Sequence, residues 1–403
     1  MKTILLILIF SLNLFAQNFE IKSLKVYKNK NQINPPILSV KDKLFIEFDI
    51  ESDTQPLLNI LFRFCDRSWE PYDNIFLENR FYNTEHNLWF KTLPATITEA
   101  RYHYKGEFPN ENVTFPFSGK WKFYITDFDD SNEIYATGKF IVVYPSIPLI
   151  SGILKQRLEG VTLDESTFGQ IYNIRTKFNL PDTLFSSRVL GFEIIENQKF
   201  EYPIFISEDN TNEYRYFEWN GIDEIEYIVK DIQPGNEYRQ ANLKDRFKHS
   251  PPYTNAQYDG VDVSRLYDYG GKDYNGGSIL HNPLNDYSNY MNVEFNLRLP
   301  EYFYKNVFLT GSFNNWQVLP EYKLIDTDGL YSINIELKRG IYDYQYVTGI
   351  VEDEKVYEID WLELEGNSWD TENDYYLFVY YLSPLYGQYD KVIGFKKLSS
   401  KRK

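Results

Sequence analysis

Within residues 307–347 two runs, 331–337 and 342–346, alternate apolar and polar side chains with period two, and that pattern leaves few folds open. Tyr331, Ile333, Ile335 and Leu337 fall on one face of an extended segment and Ser332, Asn334 and Glu336 on the other. After Gly340, Tyr342, Tyr344 and Tyr346 resume the alternation, and Asp328-Gly329 supplies a turn. Ahead of them runs V-F-L-T-G-S-F-N-N-W, residues 307–316. Paired strands with one apolar face must bury it against another layer, which predicts a β-sandwich. Aromatic residues make up 18% of the chain, 35 of them tyrosine, and such rings pack well on a pleated surface. The expected class is all-β, with tandem immunoglobulin-like or early-set sandwiches.

At 403 residues and 43% hydrophobic composition the chain can bury two or three cores. Met1-Lys2, the apolar residues 4–15 and Ala16-Gln17 read as a signal peptide over 1–16. It is too short for a membrane span, and no cysteine sits at the cleavage point to take a lipid. An N-terminal immunoglobulin-like sandwich is expected over 17–145, up to Tyr144-Pro145-Ser146-Ile147-Pro148, whose prolines interrupt ladder pairing. A β-rich region follows over 146–250, then a Gly/Pro/Tyr-rich loop or linker over 251–290, broken by Pro251-Pro252, Gly270-Gly271 and Gly276-Gly277. A C-terminal early-set-like sandwich is expected over 291–403.

The formal net charge is −16, which sets against nucleic acid and anionic membrane surfaces as partners. Cys65 is the sole cysteine, so no intramolecular disulfide forms and the residue reads as a small buried strand position. His86, His103, His249 and His281 lack zinc-ligand spacing, and no nucleophile elbow, phosphate loop or dinucleotide fingerprint occurs. The expectation is a protein that is not an enzyme, with no catalytic residues, no metal site and no cofactor. The C-terminal Ser-Ser-Lys-Arg-Lys and the short strands set against an outer-membrane barrel and against direct membrane insertion.

The G-S-F-N-N-W run at 311–316 resembles the starch- and glycogen-binding modules of branching enzymes, isoamylases and the AMP-activated kinase β-subunit. In those modules the tryptophan stacks on a sugar ring, so Trp316, flanked by the amides of Asn314 and Asn315, is a candidate glycan or partner contact, with Trp369 a second. Gln345 replaces the usual lysine of those modules, and Trp316 equally suits a structural role or a protein contact.

A broader resemblance rests on four elements in order: Cys65-Asp66-Arg67-Ser68-Trp69, similar to a C-D-x-x-W step; Gly235-Asn236-Glu237-Tyr238-Arg239; Trp369-Asp370-Thr371-Glu372-Asn373-Asp374-Tyr375; and Tyr389-Asp390-Lys391-Val392-Ile393-Gly394. Together they resemble the plug protein family of the type IX secretion system. That resemblance implies a periplasmic protein, held at the outer membrane through its partner, that occludes the giant outer-membrane translocon barrel when cargo is absent. The alternative is a periplasmic or secreted glycan-binding protein using the G-S-F-N-N-W module.

Overall fold

The structure, a computed structural model, describes residues 19–158, 169–300 and 303–401; the expected leader at 1–16 lies outside them. Among the described residues no α-helix forms, and the strands build six sheets. The first sandwich uses β1 (Glu20–Lys28), β2 (Ile37–Leu38), β3 (Leu44–Glu51), β4 (Leu58–Cys65), β5 (Thr84–Glu85), β6 (Lys91–Thr92), β7 (Tyr102–Phe108), β8 (Gly119–Asp127) and β9 (Ile134–Val142). Its sheets run β1-β3-β7-β6 and β2-β9-β8-β4-β5. Period-two alternation points Ile46, Phe48 and Ile50 of β3 and Phe62, Trp121 and Phe123 of the opposing sheet into one core.

Next come β10 (Ile150–Arg157), β11 (Gln170–Asn179), β12 (Val189–Glu196), β13 (Ile204–Ile206), β14 (Arg215–Trp219) and β15 (Glu224–Ile232). The third group comprises β16 (Arg239–Asn242), β17 (Tyr253–Asn255), β18 (Asp262–Val263), β19 (Ser278–Leu280), β20 (Tyr290–Arg298), β21 (Asn306–Gly311), β22 (Ile325–Thr327), β23 (Leu330–Lys338), β24 (Gly340–Glu352) and β25 (Lys355–Asp360). Here β24 pairs with β16, β19, β21 and β25 in one sheet, and β17, β18, β20, β23 and β22 form the other. Tyr342, Tyr344 and Tyr346 point into the core between them with Phe295 and Leu309. The Gly/Pro/Tyr-rich stretch at 251–290 contributes β17, β18 and β19 to these two sheets.

Of the last strands, β26 (Asp374–Ser383) pairs with β12 and β27 (Tyr389–Ser399) with β26, neither with the third sandwich. They complete the sheet β13-β12-β26-β27, which packs on β10-β11-β15-β14. Tyr375, Leu377, Val379 and Tyr381 thus share a core with Ile174, Phe192 and Val229. The chain leaves the second sandwich, builds the third, and returns.

Several strands are buried on both faces because the sandwiches lie against one another. On β3, Phe45, Glu47 and Asp49 point away from the first core yet are buried. Asp49 meets the third sandwich, where Lys338 Nζ pairs with its Oδ2 and the Tyr290 hydroxyl donates to Oδ2 at 2.8 Å; within the first sandwich, His103 Nδ1 lies 2.7 Å from Asp49 Oδ1. Asp49 and Lys338 are only 1% and 2% exposed. Burial alone raises the carboxyl's pKa, but His103 and the Lys338 ammonium outweigh it and hold Asp49 below the usual carboxylate range. Beside them Lys22 bridges Glu336 at 2.8 Å, and the Tyr27 hydroxyl donates to Glu47 Oε2 at 2.5 Å.

A second junction joins the first and second sandwiches. Ile141 and Val143 meet Ile195, Tyr376, Phe378 and Val392 in a separate apolar cluster. Within it Lys120 Nζ pairs with Glu193 at 2.7 Å, and the Tyr380 hydroxyl donates to the other Glu193 oxygen at 2.7 Å. Removing one member of such a buried pair leaves the other charge unsolvated. Asp49→Ala should therefore destabilise the protein by roughly 3–5 kcal/mol, read from urea denaturation; a loss below about 1 kcal/mol, the range of exposed pairs, would contradict this account of the junction.

Candidate functional site

Trp316 is 1% exposed. Its Nε1 donates to the Gly276 carbonyl at 2.8 Å and its ring lies 4.2 Å, centre to centre, from that of Tyr238. Gly276 has a φ of +86°, and a Cβ there would come within 2.9 Å of the indole nitrogen, so glycine is needed at that approach. The indole face on which a sugar would stack is covered. Asn314 is spent inside its own turn: Oδ1 accepts from Gly311 N at 3.0 Å and Nδ2 donates to the Gln317 carbonyl at 2.9 Å. Asn315 is exposed, with a φ of 54° that asparagine tolerates in a turn. Trp369 is half-buried on the second core; its Nε1 donates to the Ile171 carbonyl at 3.1 Å, and Arg157 lies 5.5 Å from its ring. Trp316 and Trp369 are held in different sandwiches and are not brought together as one site.

The two sequence motifs near the start and middle turn out to be joints. At C-D-x-x-W, Asp66 Oδ1 accepts from Ser68 N at 2.8 Å and Glu70 N at 2.9 Å, which closes the turn after β4. The turn aims Trp69 into the junction with the second sandwich, where Lys120 Nζ lies 4.7 Å from its ring. Asp390 in β27 accepts from Arg67 N at 3.0 Å. Burial pushes the Cys65 thiol up to about 12, so it stays protonated and unreactive. At G-N-E-Y-R, Gly235 N donates to Asn367 Oδ1 at 2.8 Å, Asn236 Nδ2 donates to the Glu365 carbonyl at 2.8 Å, and Arg239 pairs with Glu365 at 2.9 Å and Asp262 at 3.1 Å. The motif thus fastens the second sandwich to the third.

Beside this joint lies a cleft of about 650 Å³ lined by Lys199, Tyr202, Arg215, Glu237, Tyr238 and Trp361 among others. Glu237 lines it and hydrogen-bonds with Asp273, which in turn interacts with Asp343. Burial is the main cause that raises all three carboxyls, with Asp273 adding to the rise at Glu237 and Asp343, which reach about 7. Their oxygens are already engaged by the backbone. Glu237 Oε1 accepts from Glu372 N at 2.7 Å, Asp273 from Tyr238 N at 2.5 Å, and Asp343 Oδ2 from Tyr274 N at 2.7 Å and Gly276 N at 3.0 Å. This arrangement anchors the segment around residues 273–276 and does not aim a free acid and base at the cleft. Among the described residues no group of three His, Cys, Asp or Glu could hold a metal.

The feature best suited to a partner is an exposed apolar tip that sequence reasoning did not single out. Ile75 and Phe76, in the loop after β4, stand beside Leu385 and Tyr386 in the β26–β27 turn, and all four are exposed, Phe76 by 66%. Phe76 and Tyr386 stack at 6.3 Å with 27° between planes, and Asn74 Nδ2 donates to the Tyr386 carbonyl at 2.7 Å. Residues more than 300 positions apart therefore form one surface. No local pattern could have joined them.

Residues 21–144 match the family described as the type 9 secretion system plug protein 1st domain. Over the whole fold, the crystal structure of a hypothetical protein from Parabacteroides merdae ATCC 43184 is similar, with a TM-score of 0.75, 20% identity and coverage of 94% of this chain and 97% of that one. At that identity the likeness speaks to the fold alone. No curated protein matches the chain.

The raised carboxyls set a pH dependence. In the unfolded chain these groups titrate near pH 4, about three units below Glu237 and Asp343 in the fold, so between those limits the folded state binds more protons. Stability should fall as pH rises from about 4 to 7 and level off above. Asp343→Asn, which keeps the shape and an acceptor, should flatten that decline in melting temperature between pH 5 and 8. A decline unchanged by the substitution would contradict the assignment.

Proposed function

Residues 21–144 of this chain belong to the type 9 secretion system plug protein first-domain family, and from that membership we propose that the protein is a non-catalytic periplasmic stopper. It covers the periplasmic opening of the system's outer-membrane translocon while no cargo is engaged. The observation that carries the reading is the family match in a chain whose three sandwiches are fastened by buried charge pairs. A cap over a pore that passes folded proteins has to be wide and stiff, and needs no chemistry. A compact chain of this length has a radius of gyration of about 22 Å, which is of the right order for such an opening.

The apolar tip formed by Ile75, Phe76, Leu385 and Tyr386 is the surface we assign to the translocon. It is small, aromatic and solvent-facing, as a reversible contact requires, and it draws on both the first sandwich and the β26–β27 turn, so its shape depends on their junction staying closed. The protein is held at the outer membrane through this contact.

Affinity purification from outer-membrane extracts tests the proposal. The tagged protein should retain a giant barrel protein, and cells lacking it should admit large dyes that intact cells exclude. A Phe76→Ser, Tyr386→Ser variant should fold normally and lose most of the retained barrel, since aromatic anchors contribute about 2 kcal/mol each, or roughly thirtyfold in affinity. Recovery of the barrel at wild-type levels would remove the tip from the contact. Absence of any barrel from the wild-type eluate, with unchanged permeability of the deletion strain, would remove the function.

A further inference from the structure

We propose that the outer face of the sheet β17-β20-β23 is a binding groove for a neutral oligosaccharide, separate from the buried Trp316. Strand register assembles it. Tyr253 lies beside Asn292, which lies opposite Glu336; two residues along, Asn255 lies beside Glu294, which lies opposite Asn334. Because side chains alternate, these residues share the face opposite Val293 and Phe295, which are buried in the core. The loop before β17 and the chain after it add Lys248 and Tyr258, enclosing an open hollow of about 470 Å³.

Two properties separate this hollow from an ordinary solvated sheet face. Buried amides elsewhere in the molecule, at Asn197, Asn236 and Asn314, are consumed internally. By contrast, among the described residues the side chains of Asn255, Asn292, Glu294 and Asn334 have no protein hydrogen-bond partner, so a row of donors and acceptors crosses three strands uncommitted. Above that row stand two tyrosine rings, Tyr253 72% and Tyr258 52% exposed. Tyr258 is steadied by Lys248 Nζ, 5.0 Å from its ring centre, and by the edge of the His249 ring, 6.1 Å away between centres. Each ring offers an apolar face beside a polar floor.

That combination fits a sugar. A pyranose carries adjacent hydroxyls, each both donor and acceptor, which an amide matches with one group of each kind and a carboxylate with two acceptors. Its C–H face packs on an aromatic ring. The two rows of the groove are about 7 Å apart along the strands, comparable to one sugar residue, so the floor takes about two rings. A nucleic acid is disfavoured by Glu294 and by a net charge of −16. An apolar peptide would find no aliphatic side chain lining the hollow. The inference does not rest on the stopper reading, because the groove and the Phe76–Tyr386 tip share no residue.

Titration of the full-length mature protein with soluble hexasaccharides of β-1,4-linked N-acetylglucosamine, α-1,4-linked glucose and β-1,4-linked glucose tests it, by calorimetry and by quenching of tyrosine fluorescence. At least one should bind, and Tyr253→Ala and Asn334→Ala should each weaken it tenfold or more while leaving the melting temperature and co-purification of the barrel unchanged. Both side chains are exposed, so loss of binding would not reflect unfolding. No binding of any of the three sugars, or binding that both variants retain, overturns the proposal. So does loss of barrel co-purification in Tyr253→Ala without sugar binding, which would make the groove a protein contact.

Discussion

The pairing of Asp49 with Lys338, beneath the third sandwich and at almost no exposure, is the interaction on which the arrangement of the whole molecule depends. A carboxylate on the outer face of a sheet is ordinarily solvated. Here it is desolvated, and only the ammonium, the Tyr290 hydroxyl and His103 compensate. If the third sandwich moved away, Lys338 would lose its carboxylate and Asp49 would keep only His103 of its own sandwich, so the pairing favours the closed arrangement. Lys120 and Glu193 impose the same condition between the first and second sandwiches, and Arg239 with Glu365 and Asp262 imposes it inside the third. Two junctions of this kind, with the Arg239 network beside the joint between the second and third sandwiches, tie the small β-domains into one body.

Chain topology adds a mechanical constraint to the electrostatic one. Because β26 and β27 return to β12, the third sandwich is inserted between two halves of the second, and both of its connections are anchored in neighbouring sheets. The G-N-E-Y-R joint guards the outgoing connection and Trp369, with its contacts to Gln170 and Ile171, the returning one. Stiffness matters for a cap, since a flexible one would leak. In the proposed stopper role the exposed tip is the part that yields when cargo arrives.

The fold class was legible because it depends on local alternation. Tyr342, Tyr344 and Tyr346 do enter a sandwich core as their spacing requires, and Leu44, Ile46, Phe48 and Ile50 do the same in the first domain. What local pattern cannot convey is a second buried face. In L-F-I-E-F-D-I-E the alternation alone leaves the acidic positions facing solvent, yet Asp49 is buried because Tyr290 and Lys338, far along the chain, cover it. The same limit applied to Trp316: G-S-F-N-N-W resembles a sugar-binding turn, but Gly276 and Tyr238, far apart in the sequence, close over the indole. The pairing of β26 with β12, the Phe76–Tyr386 tip and the amide row of the third sandwich are likewise products of long-range register, invisible to a window of ten residues.

Ion conductance through the purified translocon in a planar bilayer measures the proposed closing of a pore by this protein most directly. With the translocon alone the channel should be open and conduct steadily. Addition of this protein from the periplasmic side should reduce the conductance to near baseline in a dose-dependent and reversible way, and addition from the opposite side should not. A conductance that stays unchanged at protein concentrations sufficient to saturate the translocon would contradict the account.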